Sequence, residues 1–107
     1  MSDFRLHPDA GSEIDEAAEY YFRKSKSLEL AEDFADEVRV CIAAALSHGL
    51  RYLQHFPGTQ ARYRRVSRFP YLVIFYERPD EVEVLIVAVA HERRRPGYWR
   101  GRLDDGR

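Results

Sequence analysis

The chain has 107 residues, 45% of them hydrophobic and 13% aromatic, with a formal net charge of −1. That is one domain's worth of chain, with enough apolar content for a real core, and it excludes a disordered polyelectrolyte. The single cysteine, Cys41, excludes an internal disulfide, and no apolar run reaches the roughly 18 residues of a membrane span, so a cytosolic, non-membrane protein is expected.

Residues 1–10 lack the basic and apolar regions of a secretory signal. Phe4 and Leu6 alternate with polar neighbours and predict a short strand. Pro8 suits a first helical position, where its missing N–H is not needed, and Asp9, Glu13, Asp15 and Glu16 suit a helix N-terminus. Ala10, Ile14, Ala17, Ala18, Tyr21 and Phe22 recur at helical spacing, predicting an amphipathic helix over residues 9–25. Ser27 is a good N-cap for a second helix over 28–47, whose stripe is Leu30, Ala31, Phe34, Val38, Cys41, Ile42, Ala45 and Leu46. So short a link makes the two helices an antiparallel hairpin. Cys41, between Val40 and Ile42, reads as a small core residue.

Phe56, Pro57, Gly58 and Thr59 mark a loop, after which the period changes from helical to alternating. Strands are predicted over 62–66, over 71–77 (YLVIFYE) and over 82–90 (VEVLIVAVA), with a turn at Arg78, Pro79, Asp80 and Glu81. The last strand is apolar on both faces and belongs inside the sheet. The expected fold is α+β in the order β-α-α-β-β-β: an antiparallel sheet of about four strands with the αα-hairpin on one face. The other face or one end of the sheet is then left for a partner. Residues 1–102 are expected to form the domain, and 103–107 a disordered tail.

Charge is distributed unevenly. Residues 1–50 hold 5 Lys+Arg against 11 Asp+Glu, while residues 51–107 hold 12 arginines against 7 acids. Two constellations carry the basic charge. The first is His91 to Arg100, where His91 can move a proton, Arg93, Arg94 and Arg95 can bind phosphate, and Tyr98 and Trp99 can stack on a base. Trp99 and Tyr98 can equally pin the C-terminal segment to the core. The second is Arg62, Arg64, Arg65 and Arg68, where alternation sets Arg62 and Arg64 on one strand face and Tyr63 and Arg65 on the other. These arginines suit an acidic partner or nucleic acid, or protect a sheet edge.

Metal chemistry has no support in the spacing. His48 and His55 would stand about 10.5 Å apart even on one helix, and Cys41 has no companion ligand. No phosphate loop or dinucleotide loop is present, so no cofactor is implied.

Glu19, Tyr20 and Tyr21, the segment from Arg68 to Glu77, and the ending from Val87 to Trp99 together resemble toxins of the RelE/ParE superfamily, the plasmid-stabilisation proteins. The resemblance spans about residues 4–102. It implies a toxin–antitoxin operon, growth arrest, and neutralisation by a cognate antitoxin, with a homodimer and a heterotetramer with the antitoxin both open. RelE-like members cut messenger RNA on the ribosome, and ParE-like members poison DNA gyrase. RelE-like toxins typically carry an arginine after the tyrosine that opens the third strand, where this chain has Leu72 after Tyr71, and arginines near 62–65 replace their lysines. Arginine is a poor base. Arg94 and Tyr98 do match RelE-like tail positions.

The pattern favours a ParE-like gyrase inhibitor over an enzyme. Its partner- or target-binding residues would be Arg62, Arg64, Arg65, Arg93, Arg94, Arg95 and Trp99. The alternative is a metal-independent, ribosome-dependent endoribonuclease using His91, Arg64, Arg94 and Tyr98. A third reading is a non-toxic, antitoxin-bound member of the same superfamily.

Overall fold

A computed structural model describes residues 4–79 and 83–104. The elements follow in order as β1 (Phe4–Leu6), α1 (Pro8–Ser25), α2 (Leu28–His48), β2 (Gln54–His55), β3 (Arg62–Arg65), β4 (Tyr71–Glu77) and β5 (Val84–His91). Short 3-10 turns cover Leu50–Tyr52 and Arg100–Asp104. The hairpin forms as its end signals dictate. Pro8 opens α1, and His7 caps it by accepting from the Asp9 N–H at 3.1 Å. Lys26 ends it in a left-handed conformation, with its N–H donating to the Phe22 carbonyl at 2.7 Å. Ser27 then caps α2 by accepting from the Glu29 N–H. Only Lys26 and Ser27 separate the helices, so they fold back on each other.

The α+β class holds, with a five-stranded mixed sheet in the order β1-β5-β4-β3-β2 in place of about four antiparallel strands. Two differences account for this. β1 runs parallel to β5, with Phe4 opposite Val84 and Leu6 opposite Ile86. β2 is a two-residue edge strand against β3, too short to leave an alternating pattern. β5 lies inside the sheet between β1 and β4, where its two-sided apolarity belongs. Residues 80–82, which include part of the expected turn and the expected start of the last strand, lie outside the described residues.

The helices cover one sheet face. Phe34, Val38, Cys41, Ile42 and Ala45 of α2 pack with Val66, Val73, Phe75, Ile86 and Val89. The opposite face, expected to be open for a partner, is covered by the chain's own C-terminal segment. Trp99, Leu103 and Tyr98 lie there on Ala61, Ile74, Leu85, Val87 and Ala90. Leu103 and Asp104, expected in a disordered tail, close the second 3-10 turn, and Leu103 is half-buried. Residues 105–107 lie outside the described residues.

Val87 is an extra residue in β5. Ile74 pairs with Ala88 and Phe75 with Ile86, which skips it. Val87 and Ala88 consequently both join the cluster on the C-terminal segment's face, and Val89 returns to the helix face.

Phe34, fully buried beneath the hairpin, sets the expected sensitivity of the core. Phe34→Ala should lower unfolding free energy by about 3–5 kcal/mol in urea titrations. Val40→Ser, at a 60% exposed position on the same helix, should change it by less than about 0.5 kcal/mol. Equal effects of the two substitutions would contradict the packing described.

Candidate functional site: a basic groove beside a buried carboxylate

The loop after β5 and the residues of β3 enclose a groove of about 700 Å³. Arg64, Arg65, His91, Arg94, Arg95, Tyr98 and Trp99 all border it, so the fold brings together seven of the residues singled out in the sequence. Tyr52, Tyr63 and Phe56 border it as well, and Leu72, Ile74 and Ala90 contribute apolar surface.

Arg62 and Arg93 are not among the lining residues. Arg62 donates to the Leu53 carbonyl at 3.0 Å and so ties β3 to the segment before β2. Arg93 is exposed. Arg65 reaches across to Glu92, with Nε 2.7 Å from Oε2, an exposed pair of small energetic consequence. Arg68, in a left-handed conformation, turns to Asp33 and Glu37 of α2 instead of the groove. Trp99 is only 2% exposed, its ring edge-on to Phe56 at 4.9 Å. It packs the segment down, the structural role that the sequence also allowed for it.

Arg94 and Tyr98 have partners within the fold. Both converge on Glu13 of α1, which is 8% exposed and was expected only to favour a helix N-terminus. Glu13 accepts from the Val89 N–H at 3.0 Å and from the Tyr98 hydroxyl. It also receives both terminal nitrogens of Arg102, each at 3.0 Å, and Arg94 at 3.4 Å. Arg102 in turn donates to the Val87 carbonyl at 3.1 Å. The polar backbone atoms beside the bulge thus find side-chain partners where no strand provides them. The Arg94 guanidinium lies over the Tyr98 ring, 3.7 Å from its centroid.

Burial, and then the bond to Glu13 and that carboxylate's charge, raise the Tyr98 pKa well above its ordinary value of 10.0. The hydroxyl therefore stays a donor, and it is unsuited to accept a proton near neutral pH. His91 stands edge-on to Tyr71, 5.0 Å between ring centroids, and its Nδ1 accepts from the Arg93 N–H at 3.0 Å. Its other nitrogen remains for a ligand, with no carboxylate bonded to the ring among the described residues. Cys41 is buried, and burial pushes its thiol from 9.0 up to about 11, as suits a core residue.

Glu13 and Arg102 were missed in the sequence. Glu13 sits on the same helix face as Ala10 and Ala17, three residues after the first. An acid on an apolar stripe signals a buried carboxylate that needs a cation. Nothing local marks Arg102 as that cation.

A family model described as the ParE toxin of type II toxin–antitoxin systems, parDE, matches residues 4–96. A solved chain from the chromosomal ParDE toxin–antitoxin system of P. aeruginosa is similar in fold, with TM-score 0.72 and 13% sequence identity. The likeness covers 85% of this chain and 96% of that one. No curated protein matches the chain.

Glu13→Ala leaves the nearly buried Arg102 with only the exposed Asp9, 3.7 Å away, as counter-charge and should cost about 3 kcal/mol of stability, the lower end for a broken buried pair. Glu13→Gln, which keeps the shape, should cost about 1.5–3 kcal/mol. Chemical denaturation measures both, and a loss under about 0.5 kcal/mol for Glu13→Ala would contradict the tie. Alkaline pH probes the same cluster. Unfolding frees Cys41 and Tyr98 to lose protons that the fold retains, so the unfolded state binds fewer and stability falls as pH rises. The urea midpoint should decline from about pH 9, through the Cys41 window, and further above about pH 10. Tyr98→Phe should flatten the part above pH 10, and an unchanged slope would show that the hydroxyl is not held neutral by the fold.

Proposed function

Because the chain belongs to the ParE toxin family of type II toxin–antitoxin systems, we propose that it arrests growth by binding DNA gyrase and that a cognate antitoxin neutralises it in the cytosol. One observation carries the preference for gyrase over RNA cleavage: the tail side chains an RNA-cutting site would use are tied to Glu13. Tyr98 donates to that carboxylate, and Arg94 is shared between it and the Tyr98 ring. Leu72, in place of an arginine, adds apolar surface to the groove beside Ile74 and Ala90. Arg64 is exposed, and an arginine suits holding a partner's charge and not taking a proton. Of His91, Arg64, Arg94 and Tyr98, His91 alone is left for proton transfer, and cleavage by general acid–base chemistry asks for both an acid and a base.

Purified protein should inhibit gyrase supercoiling and trap cleaved DNA at a small molar excess. No effect at a large excess, together with codon-linked breaks in toeprints of translated message that vanish in His91→Ala, would replace this reading with the endoribonuclease. Growth unaffected by induction without the antitoxin would replace it with the non-toxic member.

For the antitoxin, charge complementarity favours an acidic segment along the groove, so that neutralisation occludes the same surface the target uses. Arg64 and Arg95 are exposed groove arginines that form no ion pair with other charges among the described residues. The Arg64→Glu, Arg95→Glu double variant should stay folded and lose antitoxin affinity and toxicity together. The affinity loss should shrink as salt rises. Arg94 is unsuitable for such a reversal, because a new carboxylate there would face Glu13. Lost toxicity with unchanged antitoxin affinity at low salt would place the antitoxin elsewhere on the surface.

A further inference from the structure

A second cleft, of about 500 Å³, lies between α1 and the ends of β4 and β5. Glu16, Tyr20, Tyr21, Tyr71 and His91 border it, with the buried Glu13 and its partner Arg94 at one end. The rings stand edge to face around the opening. Tyr20 and Tyr21 are 5.3 Å apart at 74°, Tyr21 and Tyr71 6.3 Å apart at 65°, and Tyr71 and His91 5.0 Å apart at 80°. The Tyr21 and Tyr71 hydroxyls are raised first by burial and then by neighbouring tyrosines, which fits phenol oxygens gathered on one side of the cleft.

The charges of the cleft are not equivalent. Glu13 is balanced by Arg94 and Arg102. Glu16 is exposed and makes no ion pair or hydrogen bond among the described residues. Tyr20 is 45% exposed, a large aromatic surface that the core does not use. The Arg94 cation is directed to Glu13 and to the Tyr98 ring. Electron-rich ring faces, phenol oxygens and one unbalanced carboxylate all attract a cation. The surrounding half of the chain is acidic, with 5 Lys+Arg against 11 Asp+Glu over residues 1–50, and would draw a basic segment towards it.

We infer that this cleft binds an arginine side chain presented by a protein partner, its guanidinium stacked on Tyr20 and bonded to Glu16. A planar guanidinium can lie against a tyrosine while its N–H groups reach a carboxylate, whereas the compact, strongly hydrated ammonium of lysine cannot do both. The site adjoins the arginine-lined groove, with His91 and Arg94 bordering both, and is opposite to it in charge preference. The inference does not depend on which cellular target the toxin engages.

The test uses the full chain and N-acetyl-arginine amide as probe, with backbone amide shifts as readout. Saturable shifts should centre on residues 16–21, 71 and 91. The neutral counterpart, N-acetyl-citrulline amide, should bind about five-fold more weakly or less, and Glu16→Gln should weaken the arginine probe about three- to five-fold. Tyr20→Ala should weaken it at least as much. Both positions are exposed, so circular dichroism should show an unchanged fold. Equal binding of the citrulline probe, indifference to both substitutions, or shifts centred on Arg64 and Arg95 would overturn the proposal. A lysine probe that binds as well as the arginine probe would overturn the choice of arginine.

Discussion

A carboxylate can be buried between a helix and a sheet only if its charge and its lone pairs are matched, because an unmatched one costs several kcal/mol. Glu13 meets that condition with groups that lie 76 to 89 residues further along the chain. The Val89 N–H, the Tyr98 hydroxyl and the Arg94 and Arg102 guanidiniums all aim at it. One side chain thus fixes α1, β5 and the C-terminal segment relative to one another. The segment in turn lays Trp99 and Leu103 over the sheet face that the helices leave bare. The second half of the core therefore depends on a polar contact made through the first.

That arrangement separates residues that look alike in the sequence. Arg93, Arg94 and Arg95 are consecutive and all exposed, yet of the three Arg94 alone pairs with a buried acid. Tyr98 and Trp99 are adjacent aromatic residues. One donates to Glu13 and stacks beneath Arg94, and the other is enclosed against Phe56. The basic groove keeps Arg64 and Arg95 as its outward charges, and the aromatic cleft on the other side of Arg94 carries the opposite sign at Glu16. Two surfaces of different chemistry meet at one ion-paired cluster.

The local elements were legible because each leaves a periodic trace. The first helix was expected over 9–25 and spans Pro8–Ser25; the second was expected over 28–47 and spans Leu28–His48. The strand Tyr71–Glu77 has the expected ends. The pairing of β1 was not legible, since three alternating residues do not state which strand they join or in which direction. Glu13 lay among other acids suited to a helix start, so its electrostatic role there hid its position on the buried stripe. Arg102 had no local signal, because its role is set by where the C-terminal segment crosses the bulge at Val87. Pinning of Trp99 to the core was one of two readings open in the sequence, while the coverage of the whole second face needed the three-dimensional path of the chain.

The parallel pairing of β1 with β5 has a consequence for synthesis. Phe4 has its strand partner at Val84, and the Glu13 carboxylate finds its cations only after residue 93. A shorter chain can form the helical hairpin and the β2-β3-β4 end of the sheet, whose contacts are local, but not the β1-β5 pair at the other end. Long-range pairing of this kind forms late in folding, because the loop must close before the contacts reward it. Assembly of the groove thus waits for the segment from His91 to Trp99 to leave the ribosome, so that a ribosome still short of it does not carry a finished binding surface.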